Sequence, residues 1–421
     1  MNLSEPTTIC AFATLALISA RYLFEFFLDR LNLKHVKQNS YSIPESFNDI
    51  MDNETYQKSV QYTLAKSRFG TITDTFSTVA LCTLLFTGWL ALLFGWISEQ
   101  SGSTVWGQAT ALWAVMLLLS FISLPFSWWS QFRIEECFGF NTTSQYTWWA
   151  DQAKGIAVSF VLGVPLLALI LWLAQVSGDY WWLLAWAALV IFQLAMSVLA
   201  PVFILPLFNK FKPLSDGPLK ERLNTLAKRT GFVNAGIQVM DGSRRSKHSN
   251  AFFTGLGKGR KIALFDTLMD QLSDEQLEAV LAHEIGHYKL RHIPKQITWS
   301  FITTLIGFWG LNLLSSQTWF VSSFSFEPEA GMAPVFLLFA LLAGTVTFWV
   351  SPLSSFWSRK FEYEADAFAS SAIGGSHPMI SALHKIHREN LSNLTPHPWY
   401  SSFHYDHPTL IERESALKGL T

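Results

Sequence analysis

At 421 residues the chain is long enough for two or three ordinary domains. Half of its residues are apolar and only 14% are charged, against roughly 25% in soluble domains, which excludes a water-soluble globule and a disordered chain alike. The net charge of −1 gives no sign of a nucleic-acid partner, and the scattered Cys10, Cys82 and Cys137 imply no disulfide framework. The chain reads as a membrane protein.

Seven stretches, near 8–28, 72–97, 105–130, 155–175, 179–208, 297–316 and 333–356, have the roughly 20 apolar residues that a helix needs to cross a bilayer. The first has no basic residue before it and carries Arg21 and Glu25, so it reads as a span rather than a cleavable signal. Those two lie one helical turn apart and fit a pair facing protein rather than lipid. Lysine and arginine then give the orientation. The start 1–7 and the connections 98–104, 176–178 and 317–332 contain neither, whereas 29–71, 131–154, 209–296 and the segment after 357 all do. Alternation of bare and basic connections predicts an outer N-terminus, with 209–296 and 357–421 in the cytoplasm. Tryptophans at 128–129, 148–149 and 181–182 fit an aromatic belt at span ends.

Within 209–296, Leu219, Leu223 and Leu226 have helical spacing over 219–229, and 236–240, 249–254 and 261–266 read as short strands. Glycines 255, 257 and 259 between the last two predict a hairpin. Ser273-Asp-Glu-Gln276 is a capping box that opens a helix with Leu277, Val280 and Leu281 on one face. That helix continues as His283-Glu284-Ile-Gly-His287. Histidines at i and i+4 project from one face, so their ring nitrogens can meet at one tetrahedral Zn²⁺. Glu284 points beside such a metal and is placed to take a proton from its bound water, whose pKa the metal lowers to about 7.

Catalytic zinc needs a third protein ligand and an open fourth position. Glu362 and Asp366, after the last span, share a helix face. One would bind metal while the other accepts the ring N–H of a ligand histidine, and spacing alone does not say which. Glu364 lies about 200° round the helix from Glu362 and is expected to face elsewhere. His292 reads equally as a group behind the metal ligands and as half of a basic Arg291-His292 pair at the membrane interface. His377, His384, His387, His397 and His404 read as surface positions, with no carboxylate set for the His384/His387 pair.

The chain resembles the type I CAAX prenyl proteases, which are integral-membrane zinc metallopeptidases of gluzincin type. The resemblance rests on Ile134-Glu-Glu-Cys-Phe-Gly-Phe-Asn141, Leu205-Pro-Leu-Phe-Asn209, Ser249-Asn-Ala-Phe-Phe-Thr-Gly255 and the His283–His287 motif. It extends to Ser358-Arg-Lys-Phe-Glu362-Tyr-Glu-Ala-Asp366-Ala-Phe and His407-Pro-Thr-Leu-Ile-Glu-Arg413. By this resemblance Glu362 is the third zinc ligand beside His283 and His287, with Asp366 its partner behind them. Glu284 is the general base, His407 stabilises the oxyanion with Arg413 in support, and Asn250 and Ala251 lie on an edge strand that receives substrate. Because Pro408 opposes a helix through both, His407 is expected to precede a helix that carries Arg413.

The implied fold is a mainly α membrane protein, seven helices around an internal chamber closed by a cytoplasmic α+β zinc domain. Its parts are expected at 1–208 (spans one to five), 209–296 (first part of the peptidase domain), 297–356 (spans six and seven) and 357–421 (second part). The implied activity is hydrolysis of membrane-associated or lipid-modified, CAAX-prenyl-like polypeptides with one Zn²⁺ per chain. The rival readings are a quality-control protease without prenyl specificity and a non-catalytic zinc-containing membrane protein; an intact Glu284 speaks against the latter. The expected partners are a peptide or membrane-anchored protein substrate and the surrounding lipid, with no nucleic acid and the chain a monomer. Short outer connections and a tail without an ER-retrieval ending favour a bacterial cytoplasmic membrane over the ER.

Overall fold

The computed structural model describes residues 5–44, 47–48, 51–232, 236–254 and 261–420. Its first part is helical. α1 (Pro6–Gln38) packs along α2 (Asn53–Phe86), whose Asp52 cap accepts the Thr55 N–H at 2.8 Å. Gly88, at φ +79°, then turns the chain into α3 (Trp89–Ser101). That left-handed conformation is cheap only for glycine, so the single span expected over 72–97 is instead the end of α2 followed by a separate helix. α4 (Val105–Trp129) runs on through a π-helical turn over Ser130–Glu135 and leads to α5 (Gln145–Val176). α6 (Trp181–Leu199) passes through a second π turn, Ala200–Ile204, into α7 (Leu205–Phe208). Pro201 and Pro206 lack the N–H that a regular helix would use there, and the wider turn accommodates them.

The next segment is mixed: β1 (Phe211–Pro213), α8 (Pro218–Arg229), β2 (Ile237–Met240), β3 (Ala251–Thr254), β4 (Lys261–Phe265), α9 (Asp266–Gln271) and α10 (Asp274–Lys289). β1, too short to announce itself, was not anticipated. The sheet order is β1-β2-β4-β3, with β2 and β4 parallel and both outer pairings antiparallel. β3 and β4 pair as the expected hairpin, Ala251 opposite Leu264; their connection falls outside the described residues. α10 opens on the expected box: Ser273 Oγ accepts the Gln276 N–H at 3.4 Å and Gln276 Oε1 accepts the Ser273 N–H at 3.0 Å.

The chain then returns to long apolar helices, α11 (His292–Ser315), the short α12 (Thr318–Ser322), α13 (Met332–Thr347) and α14 (Ser351–Ile373). It ends in α15 (His377–Glu389), α16 (Pro398–His404) and α17 (Leu410–Lys418). Among the described residues six helices are long and apolar enough to cross a membrane, and α13 with α14, bent by 60° at the break before Pro352, make a seventh if counted as one span. Outward-facing Ile72, Val79, Val161, Ile191 and Ile306 are exposed, as a lipid-facing surface requires. Arg21, Glu25 and, from α2, Asp74 line one polar pocket between the helices, so Arg21 and Glu25 do face inward.

α1 and α2 extend well beyond the expected spans. Their ends bury Val36, Tyr56 and Val60 in one cluster with Ala279 of α10, Met379 and Leu383 of α15, and Leu417 of α17. A second cluster, Leu226, Ile262, Leu264, Leu281 and Ile285 among others, joins the sheet to α8 and α10. Membrane helices and hydrophilic domain therefore share packed side chains, and α10 sits where they meet.

Candidate active site

The site begins with the contact of α10 and α14. Gly286 lies against α14 so closely that an added Cβ would stand 3.1 Å from the Ala365 backbone. This close approach sets the helix spacing that lets side chains from both helices converge. Gly286→Ala is expected to push the helices apart, costing about 1–3 kcal/mol as overpacking does, and to weaken metal retention. A melt and a metal-stripping assay indistinguishable from wild type would show that the contact yields.

His283 and His287 project from one face of α10 with their Nε2 atoms 3.1 Å apart. Glu362 of α14 completes the group, its Oε1 3.2 Å from His287 Nε2 and its Oε2 3.5 Å from His283 Nε2. Four tetrahedral ligands at roughly 2.0–2.1 Å from an ion lie about 3.3 Å from one another. The two ring nitrogens, and the Glu362 oxygen nearer to each, approach that spacing, with one ligand atom from each residue within 4.8 Å of the others. Two further features fit a cation. The two ring nitrogens face each other at 3.1 Å, and the buried Glu362 Oε2 makes no hydrogen bond. Among the described residues these three alone form a cluster of this kind.

Behind them lies a buried support. His283 Nδ1–H donates to Asp366 Oδ1 at 2.8 Å, which leaves Nε2 free for the metal side. Arg413 forks onto Asp366 through Nε at 2.8 Å and Nη2 at 2.6 Å, and its Nη1 lies 3.5 Å from Glu362 Oε2. Burial disfavours a charge on His283, but its bond to Asp366 and the nearby Glu362 carboxylate outweigh that and push the imidazole up to about 9. Proton and metal thus compete for the same nitrogen.

Glu284 is half-buried beside both histidines, and burial pushes its carboxyl up. His407 is the exposed member, its Nε2 3.5 Å from Glu362 Oε1. Asp406 accepts its Nδ1–H at 2.8 Å and holds the imidazole above the usual histidine range. His407 precedes α17, which the Thr409/Glu412 capping box opens and which carries Arg413. A cavity of about 430 Å³ begins at His407 and is lined by Tyr62, Lys66, His248 and Asn390. β3 is a sheet edge running beside α10; Asn250 is exposed, its Oδ1 accepting the Ala251 N–H at 2.8 Å.

Eight of the nine residues singled out from the sequence thus lie on α10, α14, β3 and the His407–α17 segment, and Asn250 immediately precedes β3. Arg413, expected to support His407 at the oxyanion, is instead buried against Asp366 and Glu362. His384, read as a bare surface position, pairs with Glu414 at 3.0 Å, and His387 lines the cavity with His407. His248 was not noticed at all. It stacks on Phe140 at 4.0 Å and lies 3.2 Å from Glu135, a residue of the resemblance.

A His-Glu-x-x-His helix, a carboxylate from a second helix and six or seven spans define the class, an integral-membrane metallopeptidase. Two family models match in succession: CAAX prenyl protease N-terminal, five membrane helices, over residues 32–210, and peptidase family M48 over 213–421. The chain belongs to the M48 peptidases of the CAAX prenyl protease type. It is 36% identical over 410 residues to a CAAX prenyl protease 1 homolog of Arabidopsis thaliana, covering 94% of this chain and 95% of the relative. CAAX prenyl protease 1 of Saccharomyces cerevisiae is 34% identical over 436 residues, covering 94% and 93%. The crystal structure of S. mikatae Ste24p superposes with a TM-score of 0.91 at 32% identity, covering 97% of this chain and 99% of that one.

Proposed function

We propose that the chain is a zinc endopeptidase that cuts membrane-associated polypeptides, prenylated C-terminal sequences among them. The observation that carries this is the convergence of His283 Nε2, His287 Nε2 and the Glu362 carboxylate, at separations of 3.1 to 3.5 Å, beside a Glu284 that takes no part in it. Zinc bound there would supply a nucleophilic water at neutral pH and draw charge from the scissile carbonyl.

The protein's own groups do the rest. Glu284 takes the proton of the attacking water and passes it to the leaving amine; its raised carboxyl suits both steps. His407, on the open side, donates an N–H to the oxygen on which charge develops. Asp366, held by Arg413, fixes the His283 ring. The outer edge of β3, beginning at Asn250 and Ala251, pairs with the substrate backbone and holds it extended whatever its sequence. The names of the relatives favour a lipid-anchored substrate. The charge pattern supports a cytoplasmic position for this face; an outward-facing reporter fused at residue 421 would reverse that.

The direct test is cleavage of a farnesylated C-terminal peptide by the purified chain in proteoliposomes. Faster turnover of the farnesylated than of the unmodified peptide is expected, and equal rates would favour a quality-control protease without prenyl specificity. In the same assay His407→Ala should lower kcat by about 10²–10³ with metal content unchanged, as loss of one oxyanion donor does. An unaltered kcat would remove His407 from the reaction.

A further inference from the structure

The two ligand histidines are supported differently. His283 donates to Asp366 directly, but the Nδ1 of His287 meets another imidazole, His292 Nδ1, at 3.0 Å. On its far side His292 Nε2 lies 3.0 Å from Glu364 Oε2. The ring is fully buried and stacks on Phe361 with centroids 4.2 Å apart and planes 12° from parallel, so it cannot turn away to find other partners. The donors and acceptors allow one neutral assignment. Glu364, acceptor only, takes a proton on His292 Nε2; His292 Nδ1 is then an acceptor and takes the His287 Nδ1–H; the lone pair of His287 Nε2 is thereby left toward Glu362 and His283.

We infer that His292 and Glu364 are positioning residues that fix the tautomer and orientation of His287 through a carboxylate–imidazole–imidazole chain. This rests on the metal reading above and deepens it. Such a chain supplies from Glu364 what Asp366 supplies to His283, over one residue more. It also gives a use to a carboxylate that lies on the wrong side of α14 to reach the metal. Lys360 Nζ lies 3.8 Å from Glu364 Oε1 on the outer side.

The test is the rate at which a chelator strips zinc from the purified protein, read together with the melting temperature of the metal-free form. His292→Phe preserves the stack on Phe361 and removes the acceptor. Glu364→Ala, at a half-exposed position, removes the far end and serves should the buried variant fail to fold. Both should lose zinc about 10–100-fold faster, the usual effect of losing a partner behind a metal ligand, with metal-free melting close to wild type. A wild-type stripping rate in either variant overturns the chain, and so does a pair of variants whose only defect is a lower metal-free melting temperature, which would mean a packing role. Wild-type protein that takes up no zinc defeats the metal reading itself, a result distinct from both.

Discussion

Glu284→Gln is expected to keep its metal and its fold and to lose about 10²–10⁴-fold in turnover. The substitution preserves side-chain volume on a helix whose neighbouring positions are packed, so α10 has no reason to move. What disappears is the ability to accept a proton. Burial beside His283 and His287 pushes the Glu284 carboxyl up, toward the working pH, where a group both accepts and returns a proton efficiently. The measurement is kcat for a quenched peptide alongside metal analysis of the same preparation. Near-normal cleavage with metal in place would mean that another group moves the proton.

Arg413→Ala should act through stability and metal retention. Arg413 is buried and forks onto Asp366 at 2.6 and 2.8 Å, with Glu362 at 3.5 Å. Removing it leaves two buried carboxylates without their cation, a change that typically costs about 3–5 kcal/mol. The metal-free protein should melt markedly lower, and zinc should leave more readily because Asp366 no longer holds the His283 ring. Arg413→Lys should rescue only in part, since a point charge cannot reproduce the two-pronged contact. A melting temperature unchanged in Arg413→Ala would show that the pair contributes nothing to the fold.

Residues close in sequence on one regular element were readable without coordinates. Helical geometry alone puts His283 and His287 on one face, and the Ser273/Gln276 box marks where that helix starts. The family resemblance, not spacing, singled out Glu362 over Asp366 and brought in His407 and Arg413, which lie more than 120 residues beyond His283. Periodicity carries no information about which helices touch, so the Arg413–Asp366 fork and the His287–His292–Glu364 chain were out of reach. His292 even offered two equal explanations, because the decisive fact is the ring stack on Phe361. Span limits failed for a local reason. α1 and α2 continue past the apolar stretches as helices that bury one face in the hydrophilic domain, and a hydropathy window does not register that. Gly88 lies inside the apolar stretch 72–97, and only its backbone conformation, φ +79°, marks the helix break there.

The central claim is that His283, His287 and Glu362 together hold a catalytic zinc. Zinc content of the purified chain, wild type against His287→Ala, tests it most directly. About one zinc per wild-type chain and almost none in His287→Ala, with peptide cleavage lost in step, is the predicted result, since catalytic zinc takes three protein ligands. Stoichiometric zinc in the His287→Ala protein would contradict it, because the metal would then be held somewhere else.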